Sequence, residues 1–158
     1  AWVYRTFHKW KEAKETYELI IGKYPQKTDD SYWELARMHH HNMGKFKEAI
    51  KYYDMSNKEP SSLFEKAECY RRQKKYEDGI KTLSMIIGFF HDKAPEAQLR
   101  VAQYFEQWGK KELAVRAYKL VCDKYPRSGQ ARRAHDTLEF KYKIPYTGGG
   151  VKKAKEEG

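Results

Sequence analysis

Three consecutive histidines, His39, His40 and His41, are the first residues whose chemistry invites attention. Zinc needs ligands on one face, from separate elements or spaced i and i+4. Consecutive helical residues point about 100° apart, so the triplet is not expected to converge on one ion. Cys69 and Cys122 are the only cysteines, too few for a disulfide framework or a four-cysteine zinc site. Both read as small buried hydrophobes. Gly148-Gly-Gly-Val-Lys-Lys superficially resembles a phosphate loop, but no Ser or Thr follows the lysines and no strand precedes it. No HExxH, no G-x-S-x-G and no Cys with a plausible His–Asn set occurs. Glu65, Glu68, Glu77 and Asp78 read as solvated helix faces. The expectation is no catalytic residues, no metal and no cofactor: a non-enzyme.

The elements that carry these residues follow from composition and repetition. The 158 residues are 34% charged with 15% aromatics, too many rings for a solvating tail. The longest apolar run, Leu83 to Phe90, is too short for a membrane span of ~20 residues. Ala1 is no initiator methionine and no signal-peptide pattern follows, which reads as a processed end or a cut. Ala13-Lys-Glu-Thr-Tyr17 with Lys23-Tyr24-Pro25 resembles Ala114-Val-Arg-Ala-Tyr118 with Lys124-Tyr125-Pro126. Further copies are Phe46 to Tyr53 and Tyr76 to Leu83. The anchors Ala13, Ala49, Gly79 and Ala114 lie 36, 30 and 35 residues apart, a spacing for stacked helical hairpins.

Ala114, Ala117, Tyr118, Val121, Cys122 and Tyr125 make one helical face, repeated by Trp10, Ala13, Tyr17, Ile20, Ile21 and Tyr24. First helices are expected at Ser31 to Met43, Ser62 to Gln73 and Pro95 to Trp108. Ser62 and Glu65 suggest a capping box, Pro95 a first helical position, and Gly44 and Gly109 left-handed helix ends. No sustained period-two stretch suggests a strand.

These anchors resemble the tetratricopeptide repeat family, whose pattern spans roughly 34 residues. The second unit offers Trp33, Arg37, His40, Gly44, Phe46, Ala49, Tyr53 and Ser56. The third offers Leu63, Ala67, Tyr70, Lys74, Tyr76, Gly79, Leu83 and Ile86. The fourth offers Gln98, Ala102, Phe105, Gly109, Lys111, Ala114, Tyr118, Val121 and Pro126. In the first, Ala1 and Tyr4 match a cut first helix ahead of Trp10 and Ala13. Arg37, Lys74 and Lys111 depart from the pattern. The resemblance implies an all-α, right-handed superhelix of stacked antiparallel hairpins over 1–142, about 3.5 repeats with a closing helix around Ala131, Ala134 and Leu138. Residues 143–158 are expected to form a flexible basic tail. The string Tyr125-Pro-x-Ser128-x-x-Ala131-x-x-Ala134 also resembles a bacterial subgroup of outer-membrane assembly and Tol–Pal-associated proteins, implying a periplasmic or cell-envelope location.

Family geometry implies that the first helices line a concave groove holding a protein or peptide segment. The groove positions are Trp2, Arg5, Met38, His41, Asn42, Phe64, Glu68, Arg71, Arg72, Gln103 and Glu106, with Arg100 beside them. Arg and aromatic side chains there are the types that carry binding energy. Glu34, Met38, Phe64 and Glu68 occupy the positions of one subtype's Lys/Asn carboxylate clamp, which argues against a chaperone-tail adaptor. The net charge of +10, of which the stretch from Lys141 carries +3, leaves a second reading. In it, a basic surface binds nucleic acid or another anionic surface. A third is a structural subunit of a multi-subunit complex.

Overall fold

Helix ends, more than helix interiors, decide how this chain folds, because apolar residues recur at helical spacing almost throughout. The computed structural model describes residues 2–146, with side chains from Thr6 onward. Eight α-helices and no strand occur among the described residues. They are α1 (Trp2–Lys23), α2 (Thr28–Arg37), α3 (Phe46–Met55), α4 (Ser61–Arg72), α5 (Tyr76–Phe89), α6 (Ala94–Gln107), α7 (Lys111–Lys124) and α8 (Gly129–Asp136). No described helix is long and apolar enough to cross a membrane. Wide π turns extend α2 over Met38–Asn42 and α8 over Thr137–Lys141. The chain divides into two compact units after Gln73.

In the first unit α1 packs on α2, α2 on α3 and α3 on α4. Its core is Ala36, Ala49, Ile50, Tyr53 and Cys69, covered by Trp33, Phe46, Tyr52 and Tyr70. Ala49 and Ala67, at small positions of the repeat, are fully buried, as is Ala36, while its neighbour Arg37, which stands at the small position of the second repeat, is exposed. In the second unit α6 packs between α5 and α7, and α8 closes on α6 and α7. Leu83, Ile86, Ala97, Ala102, Ala114, Val121, Cys122, Ala131, Ala134 and Leu138 are fully buried in it. Ser128 caps α8, its hydroxyl accepting from the Ala131 amide at 3.0 Å.

Three sequence expectations are corrected here. The cut first helix does not exist as a separate element: α1 runs unbroken through the turn expected between Tyr4 and Ala13. The reason lies at one backbone position. Gly44, Lys74 and Gly109, five residues before their anchors, take φ of 64°, 59° and 81° and end their helices. The matching residue in the first unit, His8, stays helical and pairs with Glu12 one turn on. Nor do Ser62 and Glu65 form a capping box. Helix α4 begins at Ser61, which puts Ser62 inside it and buried, while the Lys58 and Pro60 carbonyls accept the first amides. Pro95 is the second helical residue of α6, not the first.

Residues 142–146 are not helical, yet they return to α7. The Ile144 amide donates to the Leu138 carbonyl at 2.9 Å, the Tyr146 hydroxyl donates to Asp123, and Lys119 lies over the Tyr146 ring. The expected tail from Thr147 on lies outside the described residues.

Lys74 pays a steric cost that Gly44 and Gly109 avoid, since a side chain in the left-handed region is strained by about 1 kcal/mol or more. Lys74→Gly is therefore expected to raise the unfolding midpoint, by up to about 1 kcal/mol of stability once glycine's extra chain entropy is subtracted. A thermal melt that moves down instead would show that contacts of this exposed lysine outweigh its backbone strain.

Candidate partner-binding surface

The end of α2 carries Met38, His41 and Asn42, three of the candidate residues of the first unit. At Met38 the winding widens: the Met43 amide donates to the Met38 carbonyl, five residues back, at 3.2 Å. The Lys45 amide then returns to the His39 carbonyl at 2.8 Å, made possible by left-handed Gly44. The widened turn buries Met38, His39 and His40 in succession.

The histidine triplet separates. The His39 ring nitrogen lies 2.8 Å from the Leu35 carbonyl, and its ring packs against Tyr52. His40 fills the aromatic position between helices, edge-on to Phe46 and Tyr53. The three do not converge, but two of them meet a residue from another helix. The Nδ1 of His40 and the Nε2 of His41 approach the same oxygen of Glu65, at 3.2 and 3.5 Å. The wide turn and a third residue from α4 supply what adjacent positions on a regular helix could not. The Tyr53 hydroxyl lies 3.0 Å from His40 Nδ1. Burial, then the charge of Glu65, hold the Tyr53 phenol far above its usual range.

Beside this cluster a cleft of about 330 Å³ opens between α1 and α2. Trp10, Ala13 and Tyr17 line one wall; Glu34, Arg37, Met38, His41 and Asn42 line the other. Of the expected groove residues, Met38, His41 and Asn42 thus come together, although Met38 is only 5% exposed. The side chains of Trp2 and Arg5 lie outside the described residues. Phe64 is half-buried on α4. Arg71 is bound through two nitrogens by Glu68. Arg72 points to α3, its guanidinium 5.1 Å from the centre of the Phe46 ring. Both guanidinium groups are thus engaged within the unit, and Arg72 stands apart from the cleft.

The second unit has its own cleft of about 500 Å³, lined by Gln103, Glu106, Gln107, Tyr118, Thr137 and Lys141. Glu106 is its hub, accepting from the Tyr118 hydroxyl and pairing with Lys141. Burial, then Glu106, push the nearby Tyr142 phenol up to about 12. Gln103 lies in this cleft; Arg100 does not line it and pairs instead with Glu96 at 3.0 Å. Trp10, Ala13, Tyr17, Glu34 and Arg37 in the first cleft, and Gln107, Tyr118, Thr137 and Lys141 in the second, line these recesses without being among the expected groove residues. The spacing of Trp10 and Tyr17 puts them on one apolar helical face, yet none of the α1 residues whose side chains are described is fully buried.

Both cysteines are buried and unpaired. Burial raises the Cys69 thiol to about 12 and the Cys122 thiol to about 11, the state of packing residues and not of nucleophiles.

Helical hairpins with small residues at their contacts are now joined by a direct comparison. Residues 7–86, half of the chain, match the family described as anaphase-promoting complex, cyclosome, subunit 3, and residues 96–128 match the tetratricopeptide repeat. The chain belongs to this tetratricopeptide repeat family. Tetratricopeptide repeats generally mediate protein–protein interaction, and proteins built from them are typically non-catalytic scaffolds. Neither match points to the bacterial cell-envelope subgroup that the Tyr125–Ala134 string resembles. No curated protein and no solved structure matches the chain.

Proposed function

We propose that this tetratricopeptide repeat protein is a non-catalytic scaffold that holds an extended or helical segment of a partner protein along the inner side of its first unit. One observation carries the reading: the cleft between α1 and α2 presents Trp10 and Tyr17 opposite Arg37, Met38, His41 and Asn42. Aromatic rings beside a guanidinium, in a recess, are what partner segments bury as anchors. Phe64, half-buried on α4 of the same unit, is taken as a second contact for a segment long enough to leave the cleft. The matched family's description names a subunit of a multi-protein complex, which favours a place in an assembly over a solitary role.

The test uses peptides selected from a displayed random library on the wild-type chain. Trp10→Ala with Tyr17→Ala is expected to weaken the selected peptides by about 30-fold or more, the equivalent of ~2 kcal/mol at a hot spot. Phe64→Ala should weaken those that reach α4. Lys47→Ala with Lys51→Ala, on the exposed side of α3, should change affinity little and mainly slow association at low salt. Normal binding by the cleft variant, with loss in the lysine variant and steep salt dependence, would replace this reading with that of a binder of anionic surfaces.

A further inference from the structure

We propose that His40, His41 and Glu65 form a zinc(II) site that fastens the end of α2 to α4. Their ligand atoms lie within 4.8 Å of one another, the one such cluster among the described residues. Zinc holds imidazole nitrogen and carboxylate oxygen at about 2.0–2.1 Å in a tetrahedron, whose edges are then about 3.3 Å. The two nitrogen-to-oxygen edges here measure 3.2 and 3.5 Å, so the carboxylate already stands at ligand spacing from both rings.

Burial is graded in the way a metal site needs. The His40 side chain is 2% exposed, Glu65 35% and His41 51%, so the inner ligand is fixed and the outer one admits the ion and a water as fourth ligand. The His40 and His41 rings are stacked, with centroids 3.9 Å apart and 22° between their planes. Nitrogen lone pairs lie in the ring plane, so closure on an ion requires the exposed His41 ring to pivot out of the stack about its Nε2. The Tyr53 hydroxyl reaches both His40 and Glu65. When His40 Nδ1 binds the metal in place of the Tyr53 hydroxyl, that hydroxyl donates to the carboxylate and orients it, the role outer partners take at metal sites. Mixed nitrogen and oxygen donors of this kind suit zinc over magnesium or calcium, which take oxygen alone.

The experiment titrates zinc chloride into the untagged full chain by calorimetry, with cobalt(II) absorption as a second readout. One equivalent is expected to bind, to raise the unfolding midpoint and to give the visible bands of tetrahedral cobalt. His41→Ala and Glu65→Gln, each with unchanged far-UV spectra, should each weaken binding at least about 10-fold. His91→Ala, an exposed histidine of the second unit, should bind as wild type. No binding up to millimolar zinc, or wild-type binding by either His41→Ala or Glu65→Gln, would overturn the site. So would loss of binding in His91→Ala.

Discussion

Tyr53→Ala is expected to cost about 3–5 kcal/mol of the first unit's stability, the range for removing a large buried ring. Tyr53 is 1% exposed and sits at the centre of its unit. Its ring meets Trp33 edge-on at 5.4 Å and His40 at 6.0 Å, and its hydroxyl serves His40 and Glu65. Truncation leaves a cavity between α2, α3 and α4 and strands a buried ring nitrogen and a carboxylate together. A domain of this size holds only about 5–15 kcal/mol in total, so the loss should show as partial unfolding at physiological temperature. Tyr53→Phe separates the two contributions: it keeps the ring and removes the hydroxyl, at about 1–3 kcal/mol. Denaturant unfolding followed by helicity measures both. Equal costs for the two variants would mean that the hydroxyl network, and not ring packing, holds α2 and α4 on α3.

Ala114→Trp is expected to destabilise the second unit by about 3 kcal/mol or more, at the upper end of overpacking costs. Ala114 is fully buried on α7, which packs against α6 and α8, where Ala102 and Ala131 are also fully buried. Fully buried small residues on helices that pack together leave no free volume, and a bicyclic ring can enter only by prying the helices apart. Arg116→Trp, two residues on and exposed, should stay within about 0.5 kcal/mol of wild type. Matching unfolding midpoints for the two tryptophan variants would show that α7 does not make its close contact through Ala114.

The anchors that made the repeat visible are the residues that pack tightest. Ala49, Tyr53, Leu83, Ala114 and Tyr118 recur at fixed offsets because each must fit between helices, and all are buried. Gly44 and Gly109 were legible for a similar reason, since only a left-handed residue closes those turns cheaply. Where one type can do two things, the sequence is mute. Lys74 takes the left-handed state against its preference, while His8, at the matching place, lets its helix run on. The meeting of His40, His41 and Glu65 was hidden for another reason. It depends on a widened turn, which no residue type announces, and on a residue 24 positions further along the chain. The cleft's aromatic wall was not legible because the spacing of Trp10 and Tyr17 is that of a packed stripe. Spacing says which face of a helix is apolar, and only the neighbouring elements say whether that face is covered.

The two thiols give the folded chain a use at the bench. With Cys69 raised to about 12 and Cys122 to about 11, roughly one thiolate in 10⁵ and one in 10⁴ is present at neutral pH, inside a packed core. A native chain with no other cysteine is then a silent background for labelling. One cysteine placed on the rim of the α1–α2 cleft would take a fluorophore or spin label by itself, without the customary replacement of the natural pair.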